Sequence, residues 1–171
     1  MLISERLSKA MNDQVGQELG ASHQYLNIAA YFDREALPEL ASFFYRQSGE
    51  ERMHAEKFVH YLVEAGGKVA VPAVAAPRAD IDSAETAARL SLDWELEVTK
   101  QINALTDMAI QDKDHIGRQF LTWFVNEQLE EVSTMDQLLS VIRRAGENGL
   151  LFVEDFLARR GSPHTEPAAS S

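Results

Sequence analysis

The chain has 171 residues, with 16 Lys and Arg against 27 Asp and Glu, a formal net charge of -11, and no cysteine. A chain of this length forms one domain with a proper core, and its negative balance excludes a sequence-independent hold on nucleic acid, which needs excess cation. The missing cysteines exclude disulfides, thiolate metal sites and a rubredoxin-like iron centre.

Met1-Leu2-Ile3-Ser4-Glu5-Arg6 contains no signal-peptide core, and no run is apolar for long enough to span a membrane. A soluble, cytoplasmic protein with no membrane partner is expected. Ser4 reads as a helix N-cap, with Glu5 in the first turn. Helical spacing then gives one seam: Leu7, Met11, Gln14, Glu18, Ala21, Tyr25, Ile28 and Phe32. This helix should end near Asp33, and Pro38 fits the first position of the next.

The second segment runs from Glu39 to Ala65, and its seam is Leu40, Phe44, Gln47, Glu51, His54, Phe58, Tyr61 and Leu62. Glu51 and His54 interrupt the buried stripe one turn apart. A buried carboxylate without a partner is costly, so a cation is expected beside it, and a metal is the natural candidate. Gly66-Gly67 ends the helix readily. Lys68 to Ile81, rich in Val, Ala and Pro, has no helical period. Such a connection is long enough to run the length of a bundle and set the next helix parallel to the last.

Asp82-Ser83-Ala84-Glu85 resembles a capping box with Asp in the cap place. The third seam is Ala88, Ser91, Glu95, Val98, Ile102, Leu105 and Ala109, and Gln111-Asp112-Lys113-Asp114 is the break after it. The fourth is Leu121, Phe124, Gln128, Glu131, Met135, Leu138 and Ile142. Gly146 and Gly149 bracket a turn before Leu150 to Arg160, a short helix apolar nearly all round. A four-helix bundle leaves no room for it, so it is expected to pack against other subunits. Gly161 to Ser171 is expected to be a disordered tail outside a domain of residues 1–160.

Each long segment therefore carries polar residues on its buried seam near mid-length: Glu18, Glu51 with His54, Glu95, and Gln128 with Glu131. Independent solvated glutamates would not repeat this pattern. An oxygen-rich set with one imidazole suits iron or manganese better than zinc or Cu(I). Glu51 is placed to bridge two metal ions.

Glu50-Glu51-x-x-His54 and Trp123-Phe124-x-x-Glu127-Gln128 together resemble the motifs of prokaryotic non-haem ferritins, and the resemblance covers Ser4 to about Arg160. It implies an all-α, ferritin-like four-helix bundle with one long crossover and a short fifth helix at the C-terminus. It also implies an iron-storage protein with ferroxidase activity, a homo-oligomer of twenty-four subunits whose partners are Fe(II) and O2 or peroxide. By the same resemblance, Glu18, Glu51 and His54 hold one iron. Glu95, the shared Glu51 and Glu131 hold the second, with Gln128 close by. Glu50, Glu127, Glu130 and Glu131 match a third iron site. Tyr25 matches a tyrosine that supplies an electron beside the reacting centre, and Trp123 a neighbouring aromatic.

Bacterioferritin-type chains have a haem-ligating Met directly after the bridging Glu, where this chain has Arg52, so no haem is expected. Met53 is one position off and faces another way. Mini-ferritins, with a site between subunits and no fifth helix, fit less well. Animal ferritins carry acidic residues near the start of the fourth helix, where Arg118 and Leu121 stand here. Two other readings are a non-catalytic, shell-forming iron-binding subunit and a rubrerythrin-like peroxidase. The intact ligand constellation disfavours the first, and the missing cysteines the second.

Overall fold

The computed structural model describes residues 2–160, so the tail expected from Gly161 to Ser171 lies outside them. Five α-helices are formed: α1 (Glu5–Arg34), α2 (Pro38–Glu64), α3 (Ala84–Gln111), α4 (His115–Ala145) and α5 (Leu150–Arg160), with a single 3-10 turn at Glu147–Gly149. No strand occurs among the described residues.

Local chemistry sets the helix starts. Ser4 Oγ accepts from the Leu7 amide at 3.1 Å and donates to Asp112 at 2.6 Å, tying the start of α1 to the α3–α4 turn. Asp114 caps α4 by accepting from the Gly117 amide at 2.7 Å. At α3 the cap is Ser83 and not Asp82: the Ser83 hydroxyl accepts from the Thr86 amide at 3.1 Å. Asp82 is exposed one residue outside the helix. The N-cap of α2, Leu37, has no side-chain acceptor. Glu154 of α5 supplies two instead, accepting from the Glu39 and Leu40 amides at 2.8 and 2.9 Å.

That contact corrects the expectation that the bundle has no room for α5. Val153 is fully buried in the core, Leu150 and Leu157 pack against it, and the helix closes the end of its own bundle. Leu151 and Phe152 stay 76% and 77% exposed, so only one face of α5 is used within the chain.

The crossover travels along α1. Asn12 bonds the Lys68 carbonyl at 2.8 Å and the Ala70 amide at 2.6 Å, and Gln24 bonds the Arg78 carbonyl and amide at 3.0 and 2.8 Å. Between these anchors the chain lies close: a Cβ on Gly16 would stand 2.6 Å from Cγ of Pro72. The connection thus runs parallel to α1 and starts α3 beside the start of α2, so α2 and α3 are parallel, as its length predicts.

The apolar core is divided. One cluster fills the end built by Tyr25 to Phe32, Leu37 to Phe44, Ala84 to Leu92 and Met135 to Ile142. The other fills the opposite end with Leu7 to Val15, Ala55 to Leu62, Val98 to Ala109, Leu121 and Phe124. Between them lies a buried polar layer: Glu18, Gln47, Glu51, His54, Glu95, Gln128 and Glu131. Every residue on the four sequence-derived seams is buried.

Candidate metal centre

Glu18, Glu51, Glu95 and Glu131 are each 1% exposed, one from each long helix. Their ligand atoms converge in overlapping sets. One oxygen from Glu18, one from Glu51 and a ring nitrogen of His54 all lie within 4.8 Å of one another, as do oxygens from Glu51, Glu95 and Glu131. Glu51 belongs to both. A third set joins His54, Glu127 and Glu131.

Neighbouring side chains hold some of these oxygens. Gln14 donates to Oε1 of Glu18 at 2.8 Å, leaving Oε2 facing Nδ1 of His54 at 3.9 Å. His54 Nδ1 also stands 3.4 Å from Glu51 Oε2. Tyr25 donates to Glu95 Oε1 in a very short bond, and Gln128 donates to Glu95 Oε2 at 3.2 Å. Glu51 Oε1 and both oxygens of Glu131 are buried with no hydrogen-bond partner in the protein. Buried polar atoms are rarely left so, and acceptor-only oxygens without donors fit a cation.

Electrostatics points the same way. Burial raises the pKa of all four carboxyls. For Glu51 the charges of Glu95, Glu18 and Glu131 add to it, and for Glu131 those of Glu95, Glu50 and Glu127. Glu18 is raised by burial against the hydrogen bonds from Glu51 and Gln14. Glu95 is pushed up to about 7 by burial, held down by its bonds from Tyr25 and Gln128. At an effective dielectric of about 20, two ionised carboxylates at this spacing repel by roughly 3 to 4 kcal/mol. The three pairs among Glu51, Glu95 and Glu131 alone come to about 10 kcal/mol, comparable to the ~5–15 kcal/mol that stabilises a whole domain. The metal-free cluster must therefore hold protons, and cations can replace them.

The structure brings Glu18, Glu51, His54, Glu95, Gln128, Glu131 and Tyr25 together in this layer. It treats the residues matched to a third site differently. Glu127 is half-buried and converges with His54 and Glu131. Glu50 is half-buried and accepts from Gln47 at 2.7 Å, while Glu130 is exposed, and neither belongs to a converging set among the described residues. Trp123 is half-buried, edge-on to His54 with ring centroids 5.4 Å apart. Met53 is half-exposed, and Arg52 is turned outward onto Glu56 at 3.0 Å. Gln14, which orients Glu18, and Gln47, which holds Glu50 at its edge, lie on the seams but were given no part by the motifs, and sequence reasoning missed their roles. Their seam positions were the available signal.

The family profile described as a ferritin-like domain matches residues 8–145. The chain belongs to the ferritin family. It is 41% identical over 164 residues to "Ferritin BfrB" of Mycolicibacterium smegmatis, covering 94% of this chain and 90% of that one. It is 37% identical over 161 residues to "Bacterial non-heme ferritin" of Staphylococcus aureus, covering 93% and 97%. Among solved structures, the open pore ferritin of Archaeoglobus fulgidus superposes with a TM-score of 0.88 at 36% identity, over 92% of this chain and 97% of that one. The all-helical bundle with its short fifth helix is thus the ferritin fold. No helix among the described residues is long and apolar enough to cross a membrane.

Proposed function

We propose that the chain is an iron-storage subunit with ferroxidase activity, oxidising two Fe(II) at the buried centre with O2 or peroxide. The observation that carries this reading is the pair of three-ligand sets sharing Glu51. Glu18, Glu51 and His54 hold one substrate ion, and Glu51, Glu95 and Glu131 the other. Glu51 is the carboxylate that the two sets share.

The chain's own residues set the chemistry. Carboxylates are hard donors that favour Fe(III) over Fe(II), and closeness of the two ions lets one oxidant take an electron from each. Protons held by the cluster leave as Fe(II) binds, because metal ligands must be deprotonated. Tyr25, hydrogen-bonded to Glu95, is placed to give a further electron, and Gln128 fixes Glu95 from the other side. Glu127, converging with His54 and Glu131, offers a third position for an ion beside the pair. The net charge of -11 favours arrival of cations.

Assembly into a hollow homo-oligomer of twenty-four subunits belongs to the same proposal. Its support is the family membership and the exposed apolar face of α5, Leu151 and Phe152, which a lone chain leaves in water. Anaerobic titration with Fe(II), followed by O2, tests the function. Saturation at two or three ions per chain and a fast rise in Fe(III) absorbance are expected. Absence of a fast phase at ratios up to two ions per chain leaves a non-catalytic shell subunit as the reading.

A further inference from the structure

The four carboxylates of the centre are almost wholly out of water, so the substrate cation needs a door. One cavity of about 450 Å3 reaches a buried ligand: it is lined by Glu50, Met53, His54, Lys57, Trp123 and Glu127 among others. A second cavity, of about 330 Å3, lies against Lys57, Tyr61, Phe120 and Trp123. Lys57, His60 and Trp123 line both; His60 is exposed, and the half-buried Lys57 and Trp123 form the inner part of the partition between them.

The partition is built from a weak contact. Lys57 Nζ stands 4.2 Å from the centroid of the Trp123 ring, and that ring meets His54 edge-on at 79°. Among the described residues, Lys57 is the only lysine or arginine lining either cavity, beside Glu50, Glu56 and Glu127 in one and Glu64 in the other. Both members of the pair are half-buried. An ammonium on a flexible four-carbon stem leaves an aromatic face readily, whereas a guanidinium stacks on it as a plane. The charge is also of the same sign as an incoming metal ion.

We propose that Lys57 and Trp123 form a cation-displaced gate between solvent and the metal centre. With the ammonium on the indole, the ring is held across the approach to His54. An arriving divalent cation competes with the ammonium for Glu50 and Glu127, the ammonium swings outward, and the indole loses its latch. The gate sets rates of passage, and it rests on the reading of the buried cluster as a metal centre.

The test is stopped-flow mixing of the full-length, metal-free protein with Co(II) under argon, at low and high ionic strength. The signal counted is the Co(II) absorption change that Glu51→Gln removes. Lys57→Met keeps the stem and deletes the charge, and should take up Co(II) several-fold faster at low salt, with the gain shrinking as salt screens the charge. Trp123→Ala should also be faster, and adding Lys57→Met to it should give little more. Lys57→Arg, which stacks more firmly, should be no faster than wild type, whereas a merely structural role for Lys57 would give no such ordering by charge and shape. A Lys57→Met rate equal to or below wild type at low salt overturns the gate and leaves the centre standing. No Co(II) signal in the wild type overturns the centre itself, and the gate with it.

Discussion

Tyr25 on α1 donates its phenolic hydrogen to Glu95 on α3, seventy positions later in the chain. The bond fixes one oxygen of that carboxylate while Gln128 holds the other. Burial and the nearby charges of Glu95 and Glu51 raise the phenol well above its ordinary pKa, so the hydroxyl stays protonated and remains a donor. Tyr25→Phe removes the donor and any electron it supplies. Binding of two metal ions should survive, while the fast phase of Fe(II) oxidation should slow by about tenfold, the value of some 1.4 kcal/mol in a barrier. A transient tyrosyl signal by freeze-quench electron resonance, present in the wild type and lost in the variant, separates electron donation from positioning.

Glu51→Gln keeps the volume of the side chain and deletes the charge shared by both ligand sets. Fast oxidation should fall by at least about a hundredfold, or some 2.7 kcal/mol. The metal-free protein should unfold at equal or higher urea, because the change relieves repulsion from Glu95, Glu18 and Glu131. Wild-type oxidation rates would remove Glu51 from the centre.

Glu95 titrates near 7 in the fold against 4.5 in the unfolded chain. Between these values the folded state binds more protons, so the stability of metal-free protein falls as pH rises through that window. Glu18, Glu51 and Glu131 are shifted in the same direction and add to the slope. Urea midpoints of metal-free protein should be lower at pH 7.5 than at pH 5.5. Metal affinity should run the opposite way, rising with pH as the protons become easier to displace. Equal urea midpoints at the two values would mean the carboxyls are not strained by their burial.

The two faces of α5 can be separated. Glu154→Ala removes the acceptors at the start of α2 and should cost about 1 kcal/mol of chain stability, as loss of a helix cap does. Phe152→Glu with Leu151→Glu leaves Val153 and Glu154 in place and charges the exposed face. Light scattering should then report small oligomers in place of a full shell, while the intra-chain centre still binds metal. A full-size shell from the doubly charged variant would mean that this face is not an assembly surface.

The four helices and their buried carboxylates were legible because 3.6-residue periodicity is local: Glu18 is read from its own apolar neighbours, without knowledge of α2. The motif spacing likewise carried Glu51 and His54. What lay beyond reach was non-local or finely balanced. Asp82 and Ser83 are both good caps, and one residue of backbone geometry decides between them. The part Glu154 plays has no local signal, because its partners Glu39 and Leu40 lie more than a hundred residues earlier. Glu130 was matched by motif, but the helical turn that aims Glu127 and Glu131 inward leaves it exposed.

The two ends of the polar layer belong to different halves of the chain. Glu18, Glu51 and His54 come from the hairpin of α1 and α2, and Glu95 and Glu131 from the hairpin of α3 and α4, joined by the strap along α1. Each hairpin is made of contacts between neighbouring elements and can form early, since little loop entropy is lost in closing its short turn. The ligand cluster, by contrast, exists only once the halves have closed on each other. In the proposed function it is a wedge in that seam before metal arrives and a rivet through it afterwards. The seam between the hairpins is therefore where metal-free protein should breathe, with faster amide exchange along the inward faces of α3 and α4 that quiets when the ions are in place.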